Sequence, residues 1–288
     1  MGDRLYRFLF EHADVRGELV QLDASYREVL HRGSYSPVVA RLLGEAMAAA
    51  LLLGATLKSR GSLALQLQGE GPISMLLVQT SDGTVRATVQ CRSEVPDAPL
   101  REQTGSGRLA IILDPDDETH RYQGLVDLDA DNLAEALERY FRESEQIPTR
   151  LWLSAAEGHA AGLLLQRLPG AASEDADAWE RACQLAATLQ HRELLTLEPP
   201  EVVRRLYHEE DIRLFEPSPV SFRCRCSRER VAGLLLALGA EEARSLVAER
   251  GEVEVHCEFC GQGYRFDPVD VEQLLADPDA PPPSGTQH

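Results

Sequence analysis

The chain has 288 residues and carries 47 acidic against 29 basic side chains, a net charge of −18. That balance argues against a general nucleic-acid-binding surface. A hydrophobic fraction of 43% argues against disorder, and the length suits one large domain plus a small one. Lys58 is the one lysine in a chain whose other basic side chains are arginines, which reads as compositional bias.

The opening residues, Met1-Gly2-Asp3-Arg4-Leu5-Tyr6, lack the layout of a signal peptide, and Tyr6 stands where a myristoylation motif needs Ser or Thr. The longest apolar run, 46–57, is too short to span a bilayer. These features predict a cytoplasmic protein that does not engage a membrane. Thiols stay reduced in that compartment, so clustered cysteines there are metal ligands or redox devices before they are structural disulfides.

Residues 4–10 and 15–22 read as two strands around a turn, followed by a short helix capped by Asp23 or Ser25 and ending at Gly33. Ser36-Pro37 opens a long helix, with Ser at the N-cap and Pro at the first position. Val38, Val39, Leu42, Leu43, Ala46, Met47, Ala50 and Leu51 recur on its helical stripe, and its second half is apolar nearly all round, which predicts burial. Leu63, Leu65 and Leu67 alternate with small or polar residues as in a half-buried strand. Residues 73–80 and 84–91 form a hairpin around Asp82-Gly83. Cys91 falls on its apolar face with Val85, Ala87 and Val89, and is expected in the core. A further hairpin joins 108–113 to 121–126. Asp131 is expected to cap a helix that turns Leu133, Ala136, Leu137, Tyr140 and Phe141 inward. Strands at 150–155 and 161–168 complete a region of α+β class with mainly antiparallel sheet.

Residues 170–178 form a small acidic connector. A helix over 178–190 then places Trp179, Ala182, Cys183, Ala186 and Leu189 on one face, so Cys183 is a packing residue. From Arg192 to Pro219 short apolar clusters alternate with dense charge: Leu194-Leu195 with Leu197, then Val202-Val203 with Leu206-Tyr207. Helices that short need a surface to pack on. Beyond them, Ser227 caps a Leu-rich helix stopping at Gly239, a second helix stops at Gly251, and strands at 252–256 and 264–266 flank a knuckle. Pro268 opens a last helix, and the Pro-rich tail from 277 is expected to be disordered.

The chemistry is concentrated in four of the six cysteines: Cys224-Arg225-Cys226 and Cys257-Glu258-Phe259-Cys260-Gly261. Two tight thiol pairs separated by a small-domain loop form the layout of a tetrahedral Zn²⁺ site. Gly261 suits the sharp turn after a Cys-x-x-Cys pair. Four thiolates leave no open coordination position, which makes the site structural and not catalytic; His256 is not needed as a ligand. A module this small depends on its metal for folding, and oxidants that attack the thiolates remove the donor set. From the residues alone the site is either an inert staple or an oxidation switch. Dinucleotide, Walker, His-Glu-x-x-His and Gly-x-Ser-x-Gly motifs are absent, which predicts a protein that is not an enzyme. Two rival readings stand: a zinc-ribbon nucleic-acid-binding protein, which seven arginines against eight acidic side chains over 221–267 disfavour, and a thiol–disulfide oxidoreductase using Cys257 and Cys260.

The stretches Phe222-Arg-Cys-Arg-Cys-Ser-Arg-Glu-Arg230 and His256-Cys-Glu-Phe-Cys-Gly261 closely resemble those of the bacterial redox-regulated holdase chaperones of the heat shock protein 33 family. Gly69-Glu-Gly-Pro72, Tyr122-Gln-Gly124, Ser144-Glu-Gln-Ile-Pro-Thr-Arg150 and Arg204-Arg-Leu-Tyr-His-Glu-Glu210 extend the resemblance over nearly the whole chain. It implies that Cys224, Cys226, Cys257 and Cys260 bind one Zn²⁺ when reduced. It also implies that oxidation joins Cys224 to Cys226 and Cys257 to Cys260, after which zinc is lost and the C-terminal module and linker unfold. The protein would then form a homodimer and hold unfolding client proteins without ATP. The expected organisation is an α+β client-binding and dimerisation domain at 1–175 with a long buried helix, a metastable helical linker at 176–219, a zinc-binding redox-switch domain at 220–276 and a tail at 277–288. Leu194, Leu195, Leu197, Val202, Val203, Leu206 and Tyr207 are the expected client-binding residues of the linker.

Overall fold

The computed structural model describes residues 2–57, 61–116, 122–169, 175 and 177–276. The expectations for Lys58, the tip of the second hairpin, most of the acidic connector and the tail from 277 lie outside the described residues. The chain divides into two compact units, Met1–Arg223 and Cys224–His288.

The first unit opens with β1 (Arg4–Phe10), β2 (Val15–Leu22), α1 (Ala24–His31) and α2 (Pro37–Thr56). Next come β3 (Gly61–Gly69), β4 (Ile73–Ser81), β5 (Thr84–Cys91), α3 (Leu100–Thr104), β6 (Gly107–Pro115) and β7 (Tyr122–Asp127). The helix α4 (Leu133–Tyr140) runs into a π-helical turn at Phe141–Glu145, and β8 (Thr149–Ala156) and β9 (His159–Arg167) follow. Three short helices, α5 (Ala178–Ala186), α6 (His191–Thr196) and α7 (Pro199–Tyr207), lead to β10 (Ile212–Leu214), β11 (Ser218–Pro219) and β12 (Ser221–Phe222). One sheet has the order β10-β1-β2-β9-β8, with β11 also on β1; the other has the order β12-β5-β4-β3-β6-β7. Pairing is antiparallel except between β12 and β5.

The long helix α2 lies between the two sheets, against β2, β8 and β9 on one side and β3, β4 and β5 on the other. That double cover is why it is apolar nearly all round, and Leu43, Met47 and Leu52 are fully buried. By length and composition the helix is long and apolar enough to cross a membrane, which corrects the shorter run read from the sequence; most of it is buried inside this unit. Close approach is possible because Gly44 faces Tyr26 and Ala155, where a Cβ would lie 2.6 Å from the Ala155 methyl. Ser36 caps α2 as expected, its hydroxyl accepting from the Val39 N–H.

Several local readings are corrected. Asn132, not Asp131, caps α4, its side chain accepting from the Glu135 N–H at 2.9 Å, while Asp131 pairs with Arg101. Neither Asp23 nor Ser25 caps α1 with its own side chain. The Asp3 carboxylate, delivered from the start of β1, accepts from the N–H groups of Asp23, Ala24 and Ser25 at 2.6–3.0 Å. Cys91 is exposed, not in the core. It ends β5 beside a bulge between Ile73 and Met75, where the ladder slips and the alternation set by Val85 and Ala87 runs out. Cys183 does pack, partly buried, and burial pushes its thiol up to about 11.

The second unit holds α8 (Arg228–Leu238), α9 (Ala240–Arg250), β13 (Val253–His256), β14 (Gly263–Phe266) and α10 (Pro268–Ala276). Its core is small: Val231, Ala232, Leu235, Ala243, Val247, Val271 and Leu274 gather around Phe266.

Candidate metal centre

Each pair of cysteines is set by its local backbone. Cys224 and Cys226 lie in the extended run before α8, which begins where the Ser227 hydroxyl accepts from the Arg230 N–H. Cys257 and Cys260 lie at the tip of the β13–β14 hairpin, directly after the last ladder pair, His256 with Gly263. The Cys257 N–H donates to the Gln262 carbonyl at 2.9 Å and the Gly261 N–H to the Cys257 carbonyl at 2.7 Å. Gly261 closes this knuckle at φ 70°, a left-handed value that side chains disfavour.

The two halves meet sulfur to sulfur. Cys224 Sγ lies 3.6 Å from Cys257 Sγ, and Cys226 Sγ lies 3.3 Å from Cys260 Sγ. All four sulfurs fall within 4.8 Å of one another, and among the described residues they are the group placed to hold a metal ion. Thiolates about 2.3 Å from a central zinc span tetrahedral edges of about 3.8 Å, so the donor set and its spacing fit that ion. His256 stands outside the set, with Nε2 3.5 Å from a Glu254 carboxylate oxygen. Burial raises the Cys224 thiol, but the Cys226 N–H and the thiols of Cys226, Cys260 and Cys257 outweigh it and bring Cys224 down to about 7. Burial moves Cys257 and Cys260 upward. Crowded sulfurs cannot all ionise together without a cation among them.

Two supporting residues were not read from the sequence. The Tyr264 hydroxyl hydrogen-bonds to the Cys226 sulfur, which raises the phenol. Arg228 donates to the Arg265 carbonyl at 2.6 Å and to Asp270 at 2.8 Å, and its guanidinium stacks 4.3 Å from the Phe266 ring centre. It thereby ties α8, which follows the first thiol pair, to the strand returning from the second. Only the fold brings Arg228 and Asp270 together.

The seven apolar linker residues gather on the outer face of the first sheet, inside the first unit. Leu194, Val202, Val203, Leu206 and Tyr207 are buried, and Leu195 and Leu197 partly so, against Phe8, Phe10, Leu19, Leu163 and Leu165. The Tyr207 ring meets Phe10 edge-on at 4.9 Å and Phe8 at 5.9 Å. Gln21 of β2 clamps the end of α6, its amide donating to the carbonyls of Leu194 at 2.9 Å and Leu197 at 2.6 Å. An ion pair of Arg205 with Glu193 joins α7 to α6, and one of Arg181 with Glu210 joins α5 to the segment after α7.

This combination defines a two-unit α+β protein whose first unit buries a helix between antiparallel sheets and whose second gathers four cysteines for a metal. The Hsp33 protein family model matches residues 3–267, and the chain belongs to that family. It is 50% identical over 287 residues to the 33 kDa chaperonin of Nitrosococcus oceani, covering 99% of both chains. It is 47% identical over 276 residues to the 33 kDa chaperonin of Shewanella oneidensis, covering 95% of this chain and 96% of that one. The crystal structure of the 33 kDa chaperonin, a heat shock protein 33 homologue, from Thermotoga maritima superposes with a TM-score of 0.82 at 26% identity, covering 96% and 98% of the two chains.

Proposed function

We propose that this chain is an ATP-independent holdase chaperone whose binding surface is uncovered by oxidation of its four-cysteine centre. The observation that carries the reading is the pairing of that centre with an apolar sheet face roofed by short helices. Bound zinc would supply a closed tetrahedral cross-link between the two halves of the second unit. Cys224, Cys226, Cys257 and Cys260 hold it as thiolates. Each disulfide, Cys224 with Cys226 and Cys257 with Cys260, forms as two thiolates give two electrons to one peroxide, which takes up two protons from solvent and leaves as two waters. The donor set is then gone, and the small core around Phe266 does not hold the unit folded.

In this reading the region up to 175 binds clients and dimerises, 176–219 is the metastable cover and 220–276 is the switch. Release of α6 and α7 exposes Phe8, Phe10, Leu19, Leu163 and Leu165, a patch of the kind that binds other proteins. The chain acts by binding and not by catalysis, in the reducing cytoplasm, and its charge of −18 keeps the loaded complex soluble. The test is zinc content together with suppression of thermal aggregation of a model client, before and after peroxide. One zinc per reduced chain, lost on oxidation as suppression appears, supports the reading. Equal suppression in the reduced, zinc-loaded protein overturns the switch.

A further inference from the structure

Segment 212–222 closes one edge of each sheet in the first unit. β10 lies antiparallel on β1, with Ile212 opposite Phe10 and Leu214 opposite Phe8. β11 continues along the same edge opposite Arg4 and Leu5, and β12 then pairs with β5 at Thr84 and Val85. Flanking bonds complete the seam: Glu11 N–H to the Asp211 carbonyl and Phe215 N–H to the Arg7 carbonyl, both 2.9 Å, and Arg223 N–H to the Val85 carbonyl at 3.2 Å. The residue after Arg223 is Cys224, so the seam ends where the thiol pairs begin.

The cover is slight for what it hides. β10 has three residues and β11 and β12 two each, and Leu214 and Phe215 remain 37% and 40% exposed. The strand beneath is well anchored, since the other edge of β1 pairs with β2 from Arg4 to Leu9. An open, anchored, apolar edge is a template on which another extended chain adds as a strand.

We propose that, once segment 212–222 lifts, the outer edge of β1 takes up an extended segment of an unfolding polypeptide by antiparallel strand addition. The segment's alternate apolar side chains replace Ile212 and Leu214. This rests on the chaperone reading and specifies how the client is held. The intrachain occupant shows what fits: two apolar residues two apart, beside Phe10 and Phe8, with a main chain that meets Arg7 and Glu11. Main-chain bonds read no sequence, and that spacing recurs in any extended apolar stretch, so the edge is tolerant of its client. Phe8 and Phe10 project to the face that α7 covers, so an added strand meets both the freed edge and the freed floor. A second copy is the poorer occupant. Full antiparallel overlap of Arg4–Phe10 with itself sets Arg7 opposite Arg7, and like charges directly opposite destabilise a strand pair.

Amide exchange resolved to single residues tests this on the oxidised full-length chain, with S-carboxymethylated α-lactalbumin as the client. In an antiparallel strand alternate N–H groups point to opposite edges. The amides of Leu9 and Glu11 therefore belong to the outer edge, and those of Tyr6 and Phe8 face β2. Oxidation should free the first pair and leave the second protected, and bound client should slow Leu9 and Glu11 again by about tenfold or more. If client binds while both outer amides keep exchanging as in the client-free protein, the inference fails and the chaperone reading stands. If oxidised protein binds no client, the chaperone reading itself fails. Protection of the outer amides without client would also overturn the inference: growth with protein concentration assigns the edge to a second copy, and independence of concentration means that β10 has not lifted.

Discussion

Leu43, Met47 and Leu52 of the first unit and Phe266 of the second are all fully buried, yet the cores around them differ in extent. The first three belong to a helix enclosed by two sheets, in a cluster running from Leu5 to Val220. Phe266 has a handful of small aliphatic neighbours, and Leu234, Leu238 and Val269 of its unit are 54–64% exposed. Apolar burial suffices for a unit of the first size and falls short for one of the second, so on the proposed function the second would draw its stability from a metal held by the four cysteines. The difference teaches where a chemical signal can act. On the proposed function, oxidising four sulfurs would melt the unit held by thiolates and leave the one held by leucines untouched.

The largest expected effect breaks the comparison at its weak side. Chelation, or Cys257→Ser, should abolish metal binding worth about 10–16 kcal/mol at neutral pH, because a serine hydroxyl offers no thiolate. Hydrogen exchange should then show protection lost across α8 to α10 and kept in α2 and the sheets around it. Persistent protection in α8 to α10 after metal removal would mean that the core around Phe266 is sufficient.

Next in size is Leu206→Pro. Leu206 is 5% exposed in α7, and proline inside a helix costs about 3 kcal/mol or more. The reduced, zinc-loaded variant should already suppress client aggregation, since its sheet face is uncovered without oxidant. An unfolded linker in a variant that stays inactive until oxidised would separate linker release from activation.

A smaller effect probes the first unit alone. Burial raises Glu18 to about 7, against the pull of Arg16 and Arg7, and one of its carboxylate oxygens has no hydrogen-bond partner among the described residues. A folded-state value above the ordinary 4.5 means that folding takes up a proton between about pH 4.5 and 7. Stability from this group is therefore greatest at the acid end of that window and declines as pH rises through 7. Glu18→Gln should remove up to about 3 kcal/mol of that dependence, seen as a flatter plot of the first unit's Tm against pH. Glu45, also raised to about 7 by burial, should keep part of the slope. An unchanged slope would mean that Glu18 is solvated in solution.

The smallest expected effect is that of Cys91→Ser. An exposed thiol at the end of β5 should be replaceable within about 0.5 kcal/mol, with metal content unchanged. Metal loss from the folded variant would put Cys91 among the ligands and break the assignment of the metal to the second unit.

Much of this architecture follows from local pattern. The spacing of Cys224, Cys226, Cys257 and Cys260, the Ser36-Pro37 start of α2, the alternation of Leu63, Leu65 and Leu67, and the stops at Gly239 and Gly251 are short-range signals, and each sits where those signals place it. Capping, periodicity and ligand spacing act within a few residues, so one sequence states them in full. The positions that needed the fold depend on partners distant in the chain. Asp3 caps a helix that starts at Ala24, Arg228 reaches Asp270, and Gln21 holds the end of α6. The short strands of segment 212–222 carry almost no alternation of their own. They are strands because β1 and β5 offer unpaired edges, and a backbone donor or acceptor takes the partner that the tertiary structure brings to it.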